Sequence, residues 1–237
     1  MKSCLLGLAI SAGVAFACSA KADLIAYWNF NNSTAGTSGG LGTMDDAYPF
    51  AANAGSGTIT TNFSVNTVAG TSAQNTGDLG TFGGTTDNAL FGDASGGALA
   101  MRAGNGVDSG VTNNGKWVQF NISTVGITSA LSLSYATRNT STGFQSQTWE
   151  YSVDGLSYTL ITVVNSLTTS FAVQTININD LAAYGAANLR LRVTFDGATN
   201  QSGNNRIDNV QINGVPTPGT LGLLAASGLI AIRRRRA

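Results

Sequence analysis

The chain has 237 residues, 43% of them hydrophobic and 10% charged, with 12 basic residues against 12 acidic ones and no histidine. A balanced charge offers no basic surface to a nucleic-acid backbone, and the lack of histidine excludes His-based triads and zinc sites built on histidine. Cys4 and Cys18 both precede residue 22, so everything after it is built without disulfides or thiolate chemistry.

In chain order, the first signal is a leader. Lys2 is followed by an apolar run over residues 5–17 and by Ala20-Lys21-Ala22. A charged start, an apolar middle and a small-x-small end predict a signal peptide over residues 1–22, recognised at Ala20 and Ala22, with the mature chain beginning at Asp23. Lipidation at Cys18 is disfavoured by the bulky Phe16 two residues earlier. Two lysines leave with this leader and four arginines lie in the last five residues, so the exported body keeps six basic residues against all 12 acidic ones. Its net charge is six minus twelve, about −6. With about 190 residues and no cysteine, this body must be held by burial and hydrogen bonds in one core.

Residues 23–213 are predicted as one all-β domain. Apolar and polar residues alternate over 24–29, 116–122, 130–137, 148–153, 171–178, 189–195 and 206–212, with weaker alternation at 57–63 and 98–102. Only 180–187 has a helical pattern, of one or two turns. Gly, Asn, Ser and Thr fill the gaps as turn formers. Many short strands between such turns predict a jelly-roll-like β-sandwich. Residues 33–115, rich in Gly, Thr, Asn and Ala, are expected as long loops at one end of it. Residues 149–155 end in Asp154-Gly155 and are followed by an apolar run at 158–164, which predicts a hairpin. No fixed-period repeat appears.

What remains for chemistry is carboxylates and aromatics. Glu150, the one glutamate, shares a strand face with Ser152 and Asp154, opposite Trp149, Tyr151 and Val153. A glycoside hydrolase needs two carboxylates roughly 5–10 Å apart, but a lone glutamate carries no motif, and the expectation is a solvated strand face with no catalytic residue. Trp28, Trp117, Trp149, Tyr135 and Tyr151 are rings that could stack on sugars, although each lies in an alternating strand where packing is the default. Ala103-Gly104-Asn105-Gly106-Val107-Asp108 comes within one residue of a Gly-Gly-x-Gly-x-Asp calcium repeat, in a single copy. No phosphate loop or dinucleotide fingerprint occurs.

The end of the chain is of another kind. Residues 214–237 comprise a linker over 214–219 holding Val215, Pro216, Thr217 and Pro218, an uncharged apolar segment over 220–232, and Arg233, Arg234, Arg235 and Arg236. An apolar segment followed by clustered arginines reads as a membrane helix with a cytoplasmic stop signal. The order resembles the PEP-CTERM sorting signal of exosortase substrates, with Thr217 where that family carries glutamate. The resemblance implies an exosortase-type membrane protease or transpeptidase as partner. It also implies transit through the inner membrane of a Gram-negative bacterium, and a final place at the cell surface or in the extracellular matrix, associated with exopolysaccharide and biofilm. Residues 151–155 and 205–210, with a "YS-DG" hairpin and a final "RIDNV" strand, resemble the end of jelly-roll domains in such proteins. Asp208, Asn209 and Asp196 are the candidate ligands of a structural calcium, by their hard oxygens and by that resemblance. The expected function is a non-enzymatic exported surface protein; a carbohydrate-binding module and a carboxylate-dependent glycan hydrolase are the alternatives.

Overall fold

The computed structural model describes residues 21–37, 40–67, 77–104 and 110–216. The leader through Ala20, residues 105–108 of the calcium-like motif, and the tail from Thr217, with its apolar segment and Arg233 to Arg236, lie outside the described residues.

In chain order the strands are β1 (Asp23–Trp28), β2 (Ser33–Thr34), β3 (Thr43–Met44), β4 (Phe50–Ala51), β5 (Ala54–Gly55), β6 (Thr58–Thr61), β7 (Leu79–Gly83), β8 (Gly97–Arg102), β9 (Trp117–Ile122), β10 (Ile127–Asn139), β11 (Ser146–Ser152), β12 (Thr159–Val164), β13 (Ala172–Ile178), β14 (Leu189–Asp196) and β15 (Asn204–Pro216). Two antiparallel sheets face each other. One runs β13-β10-β15-β1-β5, with β8 on the first half of β15 and β7 beyond it; the other runs β12-β11-β14-β9-β6-β4. The kernel is β13-β10-β15-β1 against β12-β11-β14-β9, the strand order of an eight-stranded jelly roll. Residues 29–116 are an excursion between the first and second strands of that kernel; β4 to β8 extend the two sheets, and β2 and β3 pair separately.

Strict alternation builds the kernel. Leu189, Leu191, Val193 and Phe195 of β14 are buried while Arg190, Arg192 and Thr194 between them are not. Val118, Phe120 and Ile122 of β9 are buried beside it, and the outward Gln119 between them is also buried, where it meets Tyr158. The inward rings interlock: Trp28 meets Phe120 edge-on at 5.2 Å, Phe120 stacks on Trp149 at 6.0 Å, and Trp149 lies 5.2 Å from Tyr135. Each such side chain contributes about 1.5–3 kcal/mol by burial. A polar chain crosses this core without an orphan. Trp149 Nε1 donates to the Tyr135 hydroxyl (2.8 Å), which donates to Gln147 Oε1 (2.6 Å), while Gln147 Nε2 donates to Thr137 Oγ1 (3.0 Å). Burial pushes the Tyr135 pKa well above the ordinary phenol value.

Three expectations are corrected. The helical stretch at 180–187 is a single 3-10 turn, Leu181–Ala183, because Asp180 caps Ala182 N and Tyr184 is already extended. The linker does not begin at Gly214: β15 continues through Pro216, pairing Val215 with Ser129 and Pro216 with Ile127. Proline has no N–H to donate, which suits it to the end of a strand. The stretch from residue 33 does not form loops at one end: β4 and β6 extend the six-stranded sheet, while Leu41 and residues 84–96 lie on the outer face of the seven-stranded one. Leu41 and Phe82 pack on Ala100 there, and residues 84–96 lie over the outward polar groups of β15.

Candidate functional site

The outer face of the six-stranded sheet carries three cross-strand rows. Register aligns Thr60, Gln119, Arg192, Glu150 and Leu160 in one, and Thr58, Asn121, Arg190 and Ser152 in the next. Trp117, Thr194, Thr148 and Val163 form the third. Five strands span about 19 Å at ordinary strand spacing.

These side chains bind one another. Arg192 forms a salt bridge with Glu150 (2.9 Å), Gln119 Nε2 donates to Asn121 Oδ1 (2.7 Å), and Asn121 Nδ2 donates to Thr60 Oγ1 (3.1 Å). Tyr158 joins them from the β11–β12 turn. Asp154 Oδ1 accepts from Ser157 N, Leu156 N and Ser152 Oγ, which fixes the turn and holds the Asp154 carboxyl at about 2, below the ordinary range. The chain is thereby folded back, and the Tyr158 hydroxyl donates to Gln119 Oε1 (2.6 Å) while Arg192 lies 3.5 Å above the ring. The result is a tyrosine, an arginine, two amides and a carboxylate held in fixed orientation, with half-buried Trp117 in the adjoining row.

At one end the face drops into an open groove of about 440 Å³, lined by Thr58, Asn121 and Arg190 of the second row and by Ser56, Ser123 and Asn188. Arg190 is positioned by Gly155, whose backbone has φ +75° and where a Cβ would collide with the guanidinium. No carboxylate lines the groove.

The opposite outer face is closed. At the β10–β15 bulge Asn209 takes φ +49°, turning its amide outward to donate to the carbonyls of Thr85 (2.7 Å) and Asp87 (2.9 Å). Its Oδ1 accepts from the Tyr27 hydroxyl (2.9 Å), which also contacts Asp93 Oδ2 (3.1 Å). Burial and the neighbouring Asp93 lift Tyr27 to about 12. Asp208 is fully buried, accepting from Thr85 N on Oδ2 and Asn209 N on Oδ1, both at 2.8 Å. Burial pushes its pKa up to about 8, against the pull of those two N–H groups.

The proposed calcium ligands do not form one site. Asp196 follows inward Phe195 and points out from the six-stranded sheet, exposed, where it accepts from Gly197 N (2.7 Å). Asp208 and Asn209 face out from the other sheet. Calcium takes six to eight oxygens, yet the amide nitrogen of Asn209 already bridges the carbonyls beside Asp208, and no group of three acidic residues converges among the described residues. The arrangement as built does not fit the ion. Of the candidate aromatics, Trp28, Trp149, Tyr135 and Tyr151 are core residues, and only Trp117 is on an outer face. The sequence reading missed Tyr158, Gln119 and Arg192. Val215 and Pro216, expected in a sorting motif, are strand residues, while Thr217 and Pro218 lie outside the described residues.

No family model matches this chain, and no curated protein matches it. Among solved structures it is similar to a cleaved adhesin domain of Lys-gingipain from Porphyromonas gingivalis (9% identity, TM-score 0.43, covering 78% of this chain and 95% of that one). It is also similar to the xylan-binding module CBM15 (12%, 0.39, 55% and 90%). A third is a CBM36 domain of a multidomain xylanase from the hindgut metagenome of Trinervitermes trinervoides (13%, 0.37, 68% and 99%). All three TM-scores are below 0.5, and the sandwich assignment stands on strand order and register.

Proposed function

We propose that this chain is an exported β-sandwich that binds a glycan along the outer face of its six-stranded sheet. The observation that carries the reading is the Tyr158–Arg192–Glu150–Gln119–Asn121 array. Sugars present hydroxyls that need donors and acceptors in fixed directions, and apolar ring faces that pack on aromatics. The array supplies both, and its internal bonds set those directions before a ligand arrives, which lowers the ordering cost of binding. Binding is favoured over hydrolysis here because Glu150 is ion-paired with Arg192 and Asp154 is engaged by its own turn. Export and surface sorting rest on the leader-like residues 1–22 and the PEP-CTERM-like residues 214–237.

A glycan array followed by titration calorimetry on the best ligand tests the binding half, with Tyr158→Ala and Trp117→Ala as variants. Retention by a polysaccharide with loss in the Tyr158 variant supports the reading; no binding across a broad neutral and acidic panel sinks it. Cell fractionation with intact-mass measurement tests the sorting half. Surface protein that starts at Asp23 and lacks the arginines supports it, and intact protein held in the inner membrane overturns it.

A further inference from the structure

Both sheets of the kernel have an open edge on the same side of the sandwich, β13 of one and β12 of the other. A free edge strand presents a row of unpaired N–H and C=O groups, and folds blunt such edges with very short strands, bulges, charges, proline or a covering loop. The other edges of this molecule are blunted in those ways. β4 and β5 are two residues each, and the free side of β7 is covered by Gly36, Gly42, Ser64 and Asn66, whose backbone bonds to Leu79 and Thr81. β12 holds one extra residue, Ile161, between the pairs Leu160–Glu150 and Thr162–Trp149. Such a bulge bends an edge away from a partner.

β13 carries none of these devices. All seven of its residues pair with β10 without a register shift. Among the described residues its one backbone bond outside that ladder is at the Ile178 carbonyl, which accepts from the Tyr184 hydroxyl (3.0 Å). Ile176 and Ile178 are buried in the core while Val173, Thr175 and Asn177 between and before them are exposed, so the strand is held in one register with its edge free. The row beside those exposed residues on β10 is Ser132, Ser134 and Ala136, and no charged residue or proline occurs over 155–179.

Two observations point to a second copy of the chain as the occupant. Addition of a foreign peptide strand takes its specificity from side-chain pockets beside the edge, and the open groove of this molecule lies on the other sheet, at residues 56–58, 121–123 and 187–190. A second copy needs no pocket, because an antiparallel strand complements itself. The exported body also carries a charge of about −6, which opposes association of like copies except through an uncharged strip such as this one.

We propose that β13 pairs antiparallel with β13 of a second copy, about a two-fold axis at Thr175, to form a reversible dimer. Thr175 then opposes the partner's Thr175, a favourable cross-strand pair, and Val173 opposes the partner's Asn177. The shared ladder is about 24 Å long, and with the second sheet about 10 Å away the contact is roughly 400–500 Å² per copy, at the low end for specific interfaces. The dimer is therefore weak and forms at micromolar concentrations. Its axis is perpendicular to the sheets, so the outer faces of both six-stranded sheets point the same way. Resting on the glycan reading, this makes the dimer bivalent for a polysaccharide surface.

Crosslinking and sedimentation of the full chain test the dimer. The chain carries Cys4→Ser and Cys18→Ser and is kept in a detergent that disperses its apolar C-terminal segment. Opposed residues of an antiparallel pair have Cα atoms about 4.5–5.5 Å apart, inside the range a disulfide spans. Under mild oxidation Thr175→Cys should therefore give a linked dimer at least about tenfold faster than Ala51→Cys, an exposed control on β4 at the far edge of the other sheet. Sedimentation over about 1–200 µM, the range suited to a weak contact, should show the parent passing from monomer to dimer. Thr175→Lys should stay monomeric, since two lysines would face each other across the axis. Its melting temperature should lie within about 2 °C of the parent's, as for an exposed substitution. Equal rates for the two cysteines, a Thr175→Lys dimer as tight as the parent's, or a parent that is monomeric throughout overturns the proposal. Val173→Lys replaces Thr175→Lys should the latter fail to fold. No glycan enters these measurements, so failure of the dimer leaves the glycan reading untouched, and a crosslinked dimer that retains no polysaccharide removes the glycan reading while the dimer stands.

Discussion

On the seven-stranded sheet the outward Asp208, Asn209 and Gln211 are bonded to backbone groups of residues 84–96, whereas on the six-stranded sheet the outward Gln119, Asn121, Glu150 and Arg192 are bonded to one another, to neighbouring threonines and to Tyr158. Both faces are polar, and both leave their sheet's core side to the same apolar alternation. The difference lies in what satisfies the outward groups. A loop that supplies backbone partners seals one face and makes its polar residues part of the fold. A side-chain array that satisfies itself leaves the other face open, with its remaining donors and acceptors directed at solvent or ligand.

The sharpest way to break this contrast is to remove the group that holds the loop down. Asn209→Ala leaves the carbonyls of Thr85 and Asp87 and the hydroxyl of Tyr27 without their partner and places a Cβ residue at φ +49° with no compensating bond. Loss of buried hydrogen bonds together with left-handed strain predicts about 3 kcal/mol of destabilisation in urea unfolding. A change below about 1 kcal/mol would mean that the loop is held by something else.

The same face should show itself through pH. Asp208 titrates at about 8 when folded and near 3.9 when the chain is unfolded. The folded state therefore binds the extra proton across that window: its contribution is fully present below about pH 4 and is lost as pH rises through 8. From pH 6 to 8 the expected fall in stability is on the order of 2 kcal/mol, and Asp208→Asn should flatten it. A slope removed by millimolar calcium in the wild type would put an ion where the structure has an amide.

How much of this was legible in advance differs between the two faces for a physical reason. The kernel strands announce themselves by alternation, and the hairpin by Asp154-Gly155, because burial of one face imposes a period of two on the sequence. The excursion over residues 29–116 does so only at β6 and β8, where the weaker alternation at 57–63 and 98–102 marks a strand; β2 to β5 are two residues each and β7 reads Leu-Gly-Thr-Phe-Gly. The residues of the final strand that look special, Asp208 and Asn209, are special, but for a bulge and a loop 120 or so positions away in sequence, which no local pattern encodes. Alternation likewise identified Glu150 as outward without revealing Arg192 beside it or Tyr158 across it, because cross-strand register and a turn's re-aiming of one ring are tertiary facts.

On the open face the effects move from stability to binding. Tyr158→Ala should reduce affinity for the bound glycan at least tenfold, about 1.4 kcal/mol, because it removes the ring and frees Arg192 and Gln119 from their common partner. Its stability should change by less than about 1 kcal/mol, as a half-exposed side chain outside the core. Comparable losses in affinity and stability would make Tyr158 a structural residue like those under the loop.

The smallest expected effect discriminates between binding and chemistry. Glu150→Gln removes the charge of an ion pair that is partly open to water, and such pairs contribute about 0–1 kcal/mol. Glutamine keeps an oxygen for Arg192, so the array should hold its geometry, and both stability and glycan affinity should stay within a few-fold of the wild type. A carboxylate that only orients Arg192 tolerates this change; one that activates water or stabilises a developing positive charge on a sugar does not, because an amide can do neither. Loss of a glycan-cleaving activity in Glu150→Gln, with binding intact, would therefore turn the open face from a binding surface into a catalytic one, and it would do so without disturbing anything on the covered side.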